Sequence, residues 1–165
     1  GAVLHGQEGR HNPVVLMVRG EFPQITNFGT LIRFALELER VAAATYEELA
    51  ADPSCAPGAE TFRALAENHR ARVALIEETR REKLNEAVLE PISDIDGASY
   101  SLETAVPKGA GAKAAADYAA GIEETSVRFY MDTARIAKNI LHGAVRIFER
   151  MAKENHANRA RLQAL

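Results

Sequence analysis

Two stretches decide the fold: "LERVAAATYEELA", residues 38 to 50, and "IEETSVRFYMDTA", residues 122 to 134. Laid on one another, each has an apolar residue before a Glu, a small residue three positions after it and a Tyr seven positions after it. The shared pattern is Glu-x-x-small-x-x-x-Tyr. At about 100° per residue, Leu31, Phe34, Leu38, Val41, Thr45 and Leu49 form the apolar seam of the first helix, with Ala35, Glu39, Ala42 and Tyr46 in an adjacent stripe. The second copy places Tyr118, Ile122, Phe129 and Ile136 on a seam, with Ala119, Glu123, Ser126 and Tyr130 beside it. One such glutamate alone would be a solvated residue of an Ala-rich helix. Two copies in matching register predict an inward pair, with small neighbours that leave room around it.

Outward from these stretches, apolar residues recur at helical spacing from 26 to 51, with Thr26 or Asn27 available as N-cap and "DPS" as the stop. After "CAPG", residues 59 to 90 hold no Gly or Pro and predict a second long helix closed by Pro91. So short a connection makes these two helices antiparallel neighbours. Residues 91 to 112, rich in Pro, Gly, Asp and Ser, are too long for a hairpin turn and predict a crossover. Helices over 113–138 and 143–165 follow, with the break at Asn139 to Gly143. The expected fold is all-α: two antiparallel helical hairpins joined by a long crossover, the connectivity of ferritin-like four-helix bundles. Residues 26 to 165 form the bundle and residues 1 to 25 an N-terminal arm.

The arm carries His5 and His11, read as solvent-facing, and an apolar "VVLMV" that covers either its own domain or a partner subunit. The chain of 165 residues is long enough for a core without staples. Its single cysteine, Cys55, sits in a breaker-rich loop, is read as a free thiol and suits a reducing compartment. No apolar run is long enough to span a membrane and no leader pattern precedes the arm, so the expected location is cytoplasmic. A net charge of −3 with both signs interspersed leaves no electrostatic footprint for nucleic acid.

The segments "LERVAAATYEELA", "FRALAENH", "IEETSVRFY" and "FERMAKENH" resemble the four helices of rubrerythrin-like members of the ferritin-like superfamily, over about residues 30 to 165. That resemblance implies a non-haem iron centre that reduces peroxide or dioxygen, with Glu39 and Glu123 as ligands, and association as a homodimer. In the family, helices two and four each supply Glu-x-x-His, the Glu seven residues after a Phe. Counted from Phe62, those positions hold His69 and Arg72; counted from Phe148, they hold Asn155 and Asn158. Neither hairpin keeps the motif. The paired cysteines of a rubredoxin-type iron centre are absent too, so a redox role would need a separate electron donor.

Two arrangements of the centre follow. In one, Glu39, Glu123 and His69, helped by Asn155 or His156, hold iron or another transition metal, one ion sooner than two, with Tyr46 and Tyr130 beside the ligands. In the other, Arg72 and Arg159 supply the positive charge, pairing with Glu39 and Glu123, and no metal is required. A non-catalytic structural or partner-binding bundle is then the function. The repeated "ENH" of "ENHRAR" (67 to 72) and "ENHANR" (154 to 159) places Glu67 outward, while His69, Phe62, Ala66, Val73 and Ile76 share one face, and Phe148, Ala152, Asn155, Arg159 and Leu162 another.

Overall fold

The computed structural model describes residues 15–18, 20–84, 88–102 and 104–165. Four helices make up the bundle: α1 (Phe28–Ala51), α2 (Ala59–Thr79), α3 (Ala112–Ile140) and α4 (Val145–Gln163). The α1–α2 and α3–α4 pairs are antiparallel hairpins. The first is closed by a 3-10 segment, Pro53–Gly58, and the second by another, His142–Ala144. Both turns follow from sequence, since Pro53 and Pro57 cannot continue α1, and Gly143 falls inside the expected break.

Asn27 is the N-cap of α1. Its Oδ1 accepts from Thr30 N at 2.8 Å and Thr30 Oγ1 accepts from Asn27 N at 3.0 Å, a reciprocal capping box. The next free amides of this helix end find partners across the chain: Phe28 N donates to Glu90 O at 2.9 Å and Gly29 N to Val88 O at 2.8 Å. This explains why the second helix is shorter than the sequence pattern predicts. It ends at Thr79, passes through a π turn at Arg80–Leu84, and residues 88 to 90 have turned away to offer their carbonyls to α1. A side chain at Gly29 would place its Cβ 3.0 Å from Val88 O, so this close approach favours glycine.

The crossover contains a strand that the sequence pattern does not predict. Thr104–Pro107 (β2) pairs antiparallel with Val15–Val18 (β1), in a register that sets Val15 opposite Pro107 and Val18 opposite Thr104. The arm's apolar stretch thus pairs with its own chain. His5 and His11 lie outside the described residues. Tyr100 anchors the crossover to α3 by donating its hydroxyl to Asp132, with the Arg128 guanidinium 5.3 Å from its ring centroid. Cys55 is a free thiol, but buried in the 3-10 turn instead of lying open in a loop.

Burial corrects one detail of the helical pattern. On α3 the expected seam residues Tyr118 and Ile136 are only half-buried, whereas Ala119, Glu123, Ser126 and Tyr130 are fully enclosed. The stripe carrying the glutamate and tyrosine is therefore the true centre line of that helix. Among the described residues, no helix is long and apolar enough to cross a membrane.

Candidate functional site

Glu39 from α1 and Glu123 from α3 meet inside the bundle, each with no exposed surface. Between them stands the imidazole of His69 from α2. Its Nδ1 donates to Glu39 Oε1 at 2.5 Å and its Nε2 to Glu123 Oε2 at 2.8 Å. A second bridge runs alongside. Arg72 Nη1 lies 3.6 Å from Glu39 Oε2 and donates to Asn155 Oδ1 at 2.9 Å, while Asn155 Nδ2 donates to Glu123 Oε1 at 2.8 Å. Glu39, His69, Glu123, Asn155 and Arg72 thus form a closed circuit to which every helix contributes.

The tyrosines cross-link the two halves. Tyr46, two turns beyond Glu39, donates its hydroxyl to Glu123 Oε2 at 2.6 Å. Tyr130, two turns beyond Glu123, donates to Glu39 Oε2. Each ring also lies against one of the cations of α2. The ring of Tyr46 stacks on His69 with centroids 5.4 Å apart, and the Arg72 guanidinium lies 5.9 Å from the centroid of Tyr130. Phe62 and Phe148 stack behind the two tyrosines at 6.3 and 6.2 Å. The duplicated Glu…Tyr pattern therefore produces a reciprocal exchange: each half's tyrosine serves the other half's carboxylate.

Electrostatics follow from this enclosure. Burial raises the pKa of a carboxyl group and lowers that of an imidazole, so isolated groups here would lose their charges. Opposite charges reverse that outcome. For Glu39, burial is outweighed by the charges of His69 and Arg72 and by hydrogen bonds from His69 and Tyr130, which hold its carboxyl below the ordinary range. For Glu123, burial is opposed by the charge and hydrogen bond of His69 and by donors from Tyr46 and Asn155, bringing it down to about 2. For His69, burial is overcome by Glu123 and Glu39, which push the imidazole up to about 9. Arg72 is raised as well, Glu39 overcoming its burial. Both tyrosines stay neutral donors, driven well above their ordinary value by burial and by the carboxylate each one faces. At neutral pH two negative charges meet two positive ones.

Of the residues that sequence singled out, Glu39, Tyr46, His69, Arg72, Glu123, Tyr130 and Asn155 come together. His156 and Arg159 do not. His156 is exposed on α4, one residue past the inward-facing Asn155, so it is no ligand of this centre. Arg159 pairs with Glu124 at 2.8 Å on the outer face, both side chains about half-exposed, instead of reaching Glu123. The inward position is Asn158, whose Nδ2 donates to Glu123 Oε1 at 3.0 Å and lies 3.0 Å from Asn68 Oδ1. On both α2 and α4 the core side follows the i, i+3 pairs, His69 with Arg72 and Asn155 with Asn158. That spacing was available in the sequence as the two positions counted from each Phe.

The donor set does not suit the metal that the family resemblance implies. Both ring nitrogens of His69 are committed to carboxylates, which leaves neither turned toward an ion. Each of the four carboxylate oxygens of Glu39 and Glu123 already faces a donor or a cation. Arg72 has no lone pair to offer either. Among the described residues, no group of three or more His, Cys, Asp or Glu side chains is arranged to hold a metal ion.

Comparison with known proteins adds a likeness of fold. No family model matches the chain, and no curated protein does. Among solved structures, a hypothetical protein from Pyrococcus furiosus is similar, with 20% sequence identity and a TM-score of 0.62, over 81% of this chain and 84% of that one. At that identity the two share an architecture.

Proposed function

We propose that this chain is a ferritin-like bundle whose centre works without a metal, and that it serves as a structural or partner-binding module. The observation that carries this reading is the closed circuit of Glu39, His69, Glu123, Asn155 and Arg72, which balances its own charge and satisfies the carboxylates. Buried carboxylates require a counter-charge, and a hydrogen-bonded guanidinium and imidazolium supply it as a cation would. Function then moves to the surface. The outer face of α1 and α2 carries two adjoining grooves of about 650 and 410 Å³, with Leu36, Ala43, Ala44 and Val73 among their lining residues and charged residues of both signs. A homodimer or another protein partner is the kind of occupant this reading requires.

The rival is iron-dependent reduction of peroxide or dioxygen, and it draws on the convergence of Glu39, His69 and Glu123. One experiment separates the two. Protein purified after growth with added iron, manganese and zinc is analysed for metal and melted with and without chelator. Far less than stoichiometric metal and an unchanged melting temperature are expected. Stoichiometric metal whose removal lowers the melting temperature would sink the proposal, because metal binding and folding are linked when a site is real.

A further inference from the structure

We propose that the solvent-facing ridge of α4 is a docking surface for an acidic helix of another protein. It lies on the other hairpin from the α1–α2 grooves and does not depend on the chemistry of the bundle centre. Charge is not spread evenly over the helices. α4 carries five Lys and Arg residues against two Glu, which makes it +3 in a chain of net charge −3 and leaves −6 for everything else. Its buried side follows Phe148, Met151, Asn155 and Leu162. Opposite that side, Arg146, Arg150, Lys153, Ala157 and Ala160 are all exposed and lie within an arc of about 80°. Their spacing alternates four and three residues, the seam along which a second helix packs at a shallow angle. Arg161 extends the line of cations to a length of about 22 Å at a rise of about 1.5 Å per residue.

Three observations point to carboxylates as what this seam receives. Arg146, Arg150, Lys153 and Arg161 make no ion pair or side-chain hydrogen bond with any described residue, whereas Arg40, Arg70, Arg135 and Arg159 each hold a carboxylate. The first turn of α4 contains Arg146 and no acidic residue, and its N-cap, Ala144, offers no side-chain hydrogen bond. A cation beside the free amides of a helix N-terminus is unfavourable by itself, and a partner's carboxylate placed there satisfies both. The seam is also narrow, bordered by Glu149 on one side and on the other by Glu154, whose carboxylate accepts from Arg72. A nucleic-acid duplex, broad and charged on both strands, would meet those glutamates, and no aromatic side chain is exposed on α4 to stack a base. A single helix with Glu or Asp at its own four-and-three positions fits between them, its flanking Lys or Arg residues meeting Glu149 and Glu154.

The test titrates the whole chain against a fluorescent, alanine-based helical peptide of about three heptads with glutamate at the a and d positions, and against the same peptide with glutamine there. Anisotropy is expected to saturate with the glutamate peptide, to lose about tenfold or more in affinity between about 50 and 300 mM salt, and to stay flat with the glutamine peptide. Arg150→Glu/Lys153→Glu should weaken binding about tenfold or more, because two attractions become repulsions, and Arg150→Gln/Lys153→Gln by an intermediate amount. Arg33→Glu/Arg63→Glu makes the same change of charge on the α1–α2 face and should leave affinity within about twofold at about 150 mM salt. Circular dichroism and melting curves identify the folded variants, and the glutamine pair decides the matter should the glutamate pair unfold. No binding of the glutamate peptide at the lower salt overturns the proposal, as does binding that the α4 changes leave intact. Tighter binding of a DNA or RNA duplex that those same changes abolish also overturns it. So does sedimentation that shows a dimeric wild type and a monomeric Arg150→Glu/Lys153→Glu, since the occupant is then a second copy. None of these outcomes alters the metal content by which the metal-free centre is judged, so the two readings fail separately.

Discussion

Truncating Arg72 to alanine tests the charge balance at its most sensitive point. Arg72 is 2% exposed, and its guanidinium lies 3.6 Å from a carboxylate oxygen of fully buried Glu39. At the effective dielectric constant of about 20 that suits protein sites, two unit charges at that distance interact by roughly 4 to 5 kcal/mol. An independent limit comes from the escape route. With the guanidinium gone and His69 the one cation left between two carboxylates, Glu39 can take up a proton, and from an ordinary value of 4.5 this costs about 3.4 kcal/mol at pH 7. Both routes agree with the roughly 3 to 5 kcal/mol expected when one partner of a buried pair is removed. Urea denaturation followed by circular dichroism, at constant ionic strength, measures the loss. The protonation route adds a signature that a simple packing defect lacks. Because the variant's folded state carries a proton on Glu39 that its unfolded state lacks, while the wild type holds Glu39 ionised, the deficit should shrink by about 2.7 kcal/mol between pH 7 and pH 5. A loss below about 1 kcal/mol, the scale of an exposed ion pair, or a deficit that stays constant over that pH range, would refute the reasoning.

Alkaline conditions should expose His69. Its pKa is raised from 6.5 to about 9, so its contribution is complete below pH 6.5 and is lost as pH rises through 9. His69→Gln should therefore remove most of the decline in melting temperature between those values that the wild type shows. Tyr46→Phe and Tyr130→Phe each delete one hydrogen bond to an ionised carboxylate, and each should cost about 1.5 to 3 kcal/mol in urea unfolding, by similar amounts because their roles are reciprocal. Arg159→Ala breaks only the half-exposed pair with Glu124 and should cost less than about 1 kcal/mol, measured the same way. Gly97→Ala would bring its Cβ within 2.8 Å of Phe34 Cε2, and a melting temperature lowered in keeping with an overpacking cost of about 1 to 3 kcal/mol is expected.

The helices were legible because their signals are local. The Asn27 capping box, the proline-rich turn after α1 and the glycine at the α3–α4 break act within a few residues, and α1, α3 and α4 fall close to their expected spans. Long-range hydrogen bonding was not legible. Nothing in "NEAVLEP" announces that the Val88 and Glu90 carbonyls will serve the amides of Gly29 and Phe28 about sixty residues earlier, so the sequence pattern overextends the second helix. The β1–β2 pairing has the same origin, since "TAVP" is too short to stand out within a crossover and gains strand structure only from its partner.

At the centre, composition and register conveyed different things. Matching copies of Glu and Tyr placed both carboxylates inside, and the departures from Glu-x-x-His named the replacement residues on both remaining helices. Choosing between Arg159 and Asn158 required knowing on which side of Asn155 the core lies. A single-helix wheel leaves about 100° between those two positions and does not order them. The α2 hairpin holds the answer, because Arg72, three residues after His69, is inward, and the pseudo-symmetric step on α4 leads to Asn158. The asymmetry in chemistry is the more consequential point. Helix α2 supplies both cations and α4 supplies neutral amides, so the centre's charge is balanced by one helix of one hairpin. Substitutions on α2 should therefore disturb both carboxylates together. Loss of Asn155 or Asn158 removes a neutral donor that Glu123 shares with others, and its effect should be confined to that carboxylate and to the Arg72 contact.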